Sequence, residues 1–134
     1  MSVLKNNRGE SKAEFLYNAR QLQIYTIRKA THFPKRYTFY ISQHLVDLAT
    51  DIYNDVKIAN SIYVTNQHEA QIRKDFFIKA KAKCMALVSQ VELAAEIFSI
   101  QPETMEEWMG MVDAETSLID GVVKSDKDRY KNLP

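Results

Sequence analysis

The stretch ISQHLVDLATDIYNDVKIANSIYV, residues 41–64, decides the fold. Its apolar residues Ile41, Leu45, Leu48, Ile52, Val56 (or Asp55), Ala59 and Tyr63 recur at three- and four-residue steps. That spacing puts them on one stripe of an amphipathic α-helix. Thr38 is suited to cap its start, and the pattern fades near Val64. Downstream, Asn66 and Glu69 match a capping box, in which the first side chain accepts from the backbone three residues on. They open a third helix, with the stripe Ile72, Phe76, Ala80, Cys84 (or Lys83), Leu87, Val91, Ala94 and Phe98. A repeat near 3.5 residues suits a helix lying almost straight along a partner.

Pro102 is placed as the first residue of a fourth helix, because its missing N–H is not needed there. Glu103, Glu106 and Glu107 favour the positive end of that helix dipole. Its stripe is Met105, Trp108 (or Met109), Val112, Ile119 and Val122, and it is expected to fade around Ser125. Upstream, Ser11 and Glu14 form another capping box, and a first helix with Phe15, Leu16, Ala19, Leu22, Tyr25, Ile27 and Ala30 runs to about Thr31. Pro34 stops it, since the residue before a proline avoids the helical region.

Four amphipathic helices with short connections predict an all-α fold, an antiparallel up-down-up-down four-helix bundle with long helices 2 and 3. A helix of about 30 residues spans roughly 45 Å, so those two are expected to overhang helices 1 and 4 and to favour self-association. Residues 1–10 are expected to form a flexible arm, 11–125 the bundle, and 126–134 a charged, frayed tail.

The chain of 134 residues suits one domain able to bury a core without disulfides or metal. Three glycines and three prolines favour a few long elements over many turns. Cys84 is the only cysteine, which rules out an intramolecular disulfide. The polar stretch Met1–Lys12 lacks a signal-peptide pattern, and no apolar run reaches the roughly 18 residues of a membrane span. A cytoplasmic location, with no membrane partner, is the expectation.

The net charge of +1 hides strong segregation. Residues 1–36 carry eight Lys or Arg against two acids, and residues 73–83 carry five against one. Residues 84–123 hold eight acids and no Lys or Arg. Such a chain can present one basic and one acidic face. Asp47, Asp51 and Asp55 form an acidic row on helix 2, and Lys79 and Lys83 a basic pair on helix 3. Folding back about residue 65 would set residue 47 beside 83, 51 beside 79 and 55 beside 75, as a ladder of ion pairs. Alternatively, Arg73, Lys74, Lys79, Lys81 and Lys83 form a patch for phosphates or an acidic partner. Lys81 points about 160° away from Lys83 and cannot share its row. Arg20, Arg28, Lys29, Lys35 and Arg36, interleaved with Tyr25, Tyr37 and Tyr40, suit charge neutralisation and stacking of single-stranded nucleic acid, although tyrosines at helical spacing are more often packing residues.

Chemistry of other kinds has little to stand on. His32, His44 and His68 fall in different elements or at helix ends, with no Glu-x-x-His or His-x-x-x-His pair. Glu92 and Glu96 share a face but complete no ligand set. Cys84 lies on an apolar stripe, as an inert core thiol would. Gly9, Gly110 and Gly121 are isolated and form no phosphate loop. No catalytic residue, metal or cofactor is expected.

One segment carries a resemblance: Ile27-Arg28-Lys29-Ala30-Thr31-His32-Phe33-Pro34-Lys35-Arg36-Tyr37-Thr38-Phe39, followed by the amphipathic run Ile41 to Ala59. It resembles the four-helix-bundle family of accessory variability determinant (Avd) proteins of diversity-generating retroelements. That family carries a Phe-Pro-Arg/Lys turn between helices 1 and 2, then a basic and an aromatic residue, matched here by Phe33, Pro34, Lys35, Arg36 and Phe39. Leu118 to Lys124 is similar to its closing segment, with Val122 where the family commonly has Trp. The likeness covers roughly residues 20–125. It implies a homo-oligomer, most typically a pentameric barrel, that binds a reverse transcriptase and its RNA or DNA through basic residues. The residues implicated are Arg28, Lys29, Lys35, Arg36, Arg73, Lys74, Lys79 and Lys83. The alternative is a self-assembly module of a mobile element that does not bind nucleic acid.

Overall fold

A computed structural model describes residues 14–134; the expected arm at 1–10 and the cap at Ser11 lie outside the described residues. Four helices form the antiparallel bundle: α1 Glu14–Ala30, α2 Gln43–Ser61, α3 Gln67–Ile97 and α4 Pro102–Arg129. A 3-10 turn, Lys35–Tyr37, and a π turn, Thr38–Ser42, lead into α2. Each helix packs against its neighbours in the chain, and α4 closes the ring against α1. Among the described residues, no helix is long and apolar enough to cross a membrane.

The core is one stripe from each helix. Phe15, Ala19 and Leu22 of α1 meet Leu45, Ala49, Ile52 and Val56 of α2, Phe77, Ala80, Cys84, Leu87 and Val91 of α3, and Trp108, Val112 and Ile119 of α4. Burial of these side chains is the main force holding the bundle, at about 1.5–3 kcal/mol for each large aliphatic or aromatic one. The Asn66 cap forms: its Oδ1 accepts from the Glu69 N–H at 2.9 Å. The reciprocal bond shifts by one residue, because the Glu69 carboxylate accepts from the N–H of Thr65 at 2.8 Å. Pro102 does stand in the first turn of α4.

Three expectations change. Thr26, not Ile27, joins the expected Ala30 on the inner face of α1. In the first turns of α3 the inner face is Arg73 and Phe77 rather than Ile72 and Phe76, since a 3.6-residue period run back from Ala80 lands on them. Finally, α4 does not fade at Ser125 but continues to Arg129, and the segment beyond it is tied down. The Gln67 N–H donates to the Pro134 carbonyl at 2.9 Å, and the Gln67 side-chain amide donates to the Tyr130 and Leu133 carbonyls. At 28 residues, α4 nearly matches the 31 of α3, so the overhang expected of α3 is small.

Candidate functional site

The basic residues singled out from sequence do not form one surface. In an antiparallel bundle the end of α1, the start of α2, the end of α3 and the start of α4 share one end, and Arg73 and Lys74, in the first turns of α3, lie at the other. Roughly 35 Å of α3 separates the two ends. Arg28, Lys29, Lys35 and Arg36 therefore gather at the α1–α2 corner, with Lys79 and Lys83 on the side of the bundle.

The corner is built by Pro34. It ends α1 and starts the 3-10 turn, and the Tyr37 N–H donates back to its carbonyl at 3.0 Å. The π turn that follows winds wider than an α-helix and shifts the phase of the side chains. Ile41 and Ser42 turn inward, while Phe39 and Tyr40 are left 77% and 75% exposed. A π turn of this kind is uncommon and often accompanies function. Beneath it the end of the bundle is sealed by aromatic rings. Phe33 packs edge-on against Phe98 at 4.7 Å between centroids and lies 6.2 Å from Trp108, while Tyr37 stacks on Phe98 at 5.5 Å. The Trp108 indole donates to Thr26 Oγ1 at 3.0 Å, so its one polar atom is satisfied in the core.

Because rings rather than ions seal this end, its cations stay outside. Among the described residues, none of Arg28, Lys29, Lys35 or Arg36 has a carboxylate within ion-pair distance. Arg36 lies over the Tyr37 ring at 5.1 Å, and Lys29 over Tyr25 at 5.3 Å. The opposite edge of the same end, from α3 and α4, carries Glu92, Glu96, Glu103, Glu106 and Glu107. Burial, then the negative charge of Glu107, raises the Tyr25 phenol above its ordinary value. The end of the bundle is thus split into a basic aromatic edge and an acidic edge.

Arg73 leaves the candidate set. It is 7% exposed, its Nε donates to Asp126 Oδ2 at 2.6 Å, and its Nη1 donates to the Ala59 carbonyl at 3.1 Å. A guanidinium there caps the negative end of α2 and offers nothing to a phosphate. Lys83 pairs with Asp51 at 2.9 Å, not with Asp47, so the expected ladder exists in part and is displaced by one turn. The bond to Asp51 raises the Lys83 pKa, and burial raises that of Asp55 despite Lys83 and Lys79 nearby. Lys79 sits over the Phe76 ring at 4.9 Å. Lys81, on the other flank of α3, bridges to Asp120 at 2.7 Å. Lys74 alone of the α3 set lines a groove against α4, with Lys124 and Lys127 opposite.

Two features escaped the sequence reading. Lys127 joins Lys74 and Lys124 only because α4 runs on through the segment expected to fray; the uninterrupted Lys124–Arg129 stretch, without Gly or Pro, is the signal for that. Glu115 is fully buried in α4, accepting from Asn18 Nδ2 at 3.0 Å through Oε1, while Oε2 has no partner among the described residues. Burial pushes its carboxyl up to about 7. The signal was the gap between Val112 and Ile119 in the α4 stripe. Burial, then Glu115, pushes the Cys84 thiol to about 12, leaving it un-ionised at neutral pH. Among the described residues no three His, Cys, Asp or Glu side chains cluster as metal ligands would.

None of the protein-family models, characterised proteins or solved structures compared with the chain matches it. The family reading accordingly rests on the residues from Ile27 to Phe39 and on the bundle itself.

Proposed function

We propose that the chain is a non-enzymatic, oligomeric adaptor that binds single-stranded nucleic acid at the α1–α2 corner. In this it would act as the retroelement accessory proteins it resembles do, with a reverse transcriptase and its RNA or DNA as partners. The observation that carries this reading is the pair Phe39 and Tyr40, both open to solvent on the same corner as four cations that have no carboxylate within ion-pair distance among the described residues. Exposed rings offer stacking platforms to any unpaired base, and Lys35, Arg36, Arg28 and Lys29 offer charge to the backbone. Duplex DNA, whose bases are already stacked, would use only the charge.

The test is fluorescence anisotropy with labelled single-stranded RNA and duplex DNA across a salt series. Phe39→Ala with Tyr40→Ala is expected to weaken single-strand binding by about tenfold or more, at roughly 1–3 kcal/mol per stacked base, with little change for duplex. Lys35→Glu with Arg36→Glu should weaken both and flatten the salt dependence. Absence of binding at low salt would sink the nucleic-acid reading.

A second reading, a self-assembly module without nucleic-acid binding, is supported by the outer face of α3. Ile78, Met85, Leu93 and Ile97 are exposed along it. Light scattering distinguishes the contributions: Met85→Glu should reduce the assembled mass if this face joins copies, and leave it unchanged otherwise.

A further inference from the structure

The end of the bundle opposite the aromatic corner holds a second basic feature of different construction. A groove with a volume of about 380 Å³ runs between the start of α3 and the end of α4. Gln67, Ala70, Gln71 and Lys74 form one wall at helical spacing, and Asp120, Val123, Lys124, Lys127 and Tyr130 the other. The space exists because Ala70 and Val123, which face it, are small. Both ends are closed by bonds between the two helices or their extensions. The Lys81–Asp120 bridge closes one at 2.7 Å, and the Gln67 amide, donating to the Tyr130 carbonyl at 2.6 Å, closes the other.

The charge accounting is one-sided. Both acids that line the groove are paired with a cation: Asp120 with Lys81 and Asp126 with the buried Arg73; next to it, Asp128 pairs with Lys131 at 3.1 Å. Among the described residues Lys74, Lys124 and Lys127 have no carboxylate within ion-pair distance. Three ammonium groups without a carboxylate partner among the described residues thus line a volume in the range of small-molecule sites. Their mutual repulsion is relieved by an anion bearing several charges.

We propose that this groove binds a compact polyphosphate small molecule of the nucleoside di- or triphosphate class. The phosphates lie between Lys74 and the Lys124–Lys127 pair, and the base lies against Tyr130. Bonds across both ends favour a short ligand over a strand: from Gln67 to Lys81 the α3 side between them spans only about 21 Å, and a nucleic-acid backbone would have to pass over the bonds that close it. Ammonium groups hold phosphate oxygens by charge-assisted hydrogen bonds, and no covalent step is involved. This site is independent of the α1–α2 corner and stands or falls separately.

The test is isothermal titration of the full chain at low salt with sodium tripolyphosphate, ATP and orthophosphate. Saturable binding of one tripolyphosphate per chain is expected, with ATP bound at least as tightly and orthophosphate more weakly. Lys124→Glu with Lys127→Glu should weaken tripolyphosphate binding by on the order of a hundredfold, since two attractive contacts become repulsive. Lys35→Glu with Arg36→Glu should leave it unchanged. All the altered side chains are exposed, and far-UV circular dichroism checks that each variant is folded. The proposal is overturned by non-saturable binding, by tripolyphosphate binding that survives the Lys124/Lys127 change and vanishes with the Lys35/Arg36 change, or by exclusion of ATP while tripolyphosphate binds.

Discussion

The two ends of the bundle solve the same problem in opposite ways. Helices must stop somewhere, and their last carbonyls and the open core must be covered. At one end Phe33, Tyr37, Phe98 and Trp108 cover the core with rings. At the other the cover is ionic: Arg73 reaches the Ala59 carbonyl at the end of α2 and pairs with Asp126 of α4. The difference decides which charges remain for binding. A ring seal consumes no cation and leaves the corner's Lys and Arg outside. An ionic seal draws one arginine inward and neutralises the acid that would otherwise oppose the groove lysines.

The largest effect is expected from breaking the ring seal. Trp108→Ala removes a fully buried side chain, leaves a cavity against Phe33 and Tyr25, and strands the Thr26 hydroxyl. A loss of about 4–5 kcal/mol is expected in urea denaturation. A loss under about 1 kcal/mol would mean that the rings do not carry this end. Breaking the ionic seal comes next. Arg73→Ala leaves Asp126, whose side chain is 13% exposed, with only the exposed Arg129 at 4.0 Å, and should cost about 3 kcal/mol. Replacing both partners, as Arg73→Met with Asp126→Leu, should recover most of that loss, because two apolar groups leave no charge behind. If the double change is as damaging as the single one, the pair is holding α4 to α3 in a way packing cannot replace.

The rings and the ions were not equally legible in the sequence. Helix number and order follow from apolar spacing, and the Asn66 cap and the placing of Pro102 depend on local chemistry that any reader can apply. The stop at Pro34 follows from the same kind of chemistry, whereas the sealing role of Phe33 shows only in its contacts with Phe98 and Trp108. Arg73 was hidden because a stripe built from apolar residues prefers Ile72 and Phe76, one residue off the true phase, and an arginine is accepted inward only once a partner is known. That partner, Asp126, is 53 residues away in a segment too charged to announce a docked helix. The outward turn of Phe39 and Tyr40 depends on a π turn, whose single-residue phase shift is set by how the whole corner packs. For the same reason the Asp51–Lys83 pairing missed its expected register by one turn: the connection Ile62–Asn66 leaves Ile62 and Asn66 extended, and helix-to-helix register is fixed by core contacts rather than by the loop.

Glu115 sharpens the contrast, as a buried acid midway between the ends that has neither solution available to it. Asp126 has a guanidinium; Glu115 has one amide, from Asn18, and an oxygen without a partner among the described residues. The titratable group facing it from α3 is Cys84, itself held un-ionised, and α1 offers Asn18 alone. Burial raises the folded carboxyl to about 7 against an ordinary value of 4.5. The folded state therefore holds its proton more tightly than the unfolded chain. Its contribution is fully present below pH 4.5, falls as the unfolded carboxyl ionises, and is gone once pH passes about 7. Above that, folding carries a buried negative charge, at a cost on the order of 3 kcal/mol. Glu115→Gln keeps the shape and the bond to Asn18 while removing the proton equilibrium, so its melting temperature should not show this decline between pH 4.5 and 7. The variant should match the wild type below that window and exceed it at pH 8. Parallel pH profiles for the two proteins would mean that water reaches the Glu115 carboxylate in solution, and that the middle of this bundle is less closed than either of its ends.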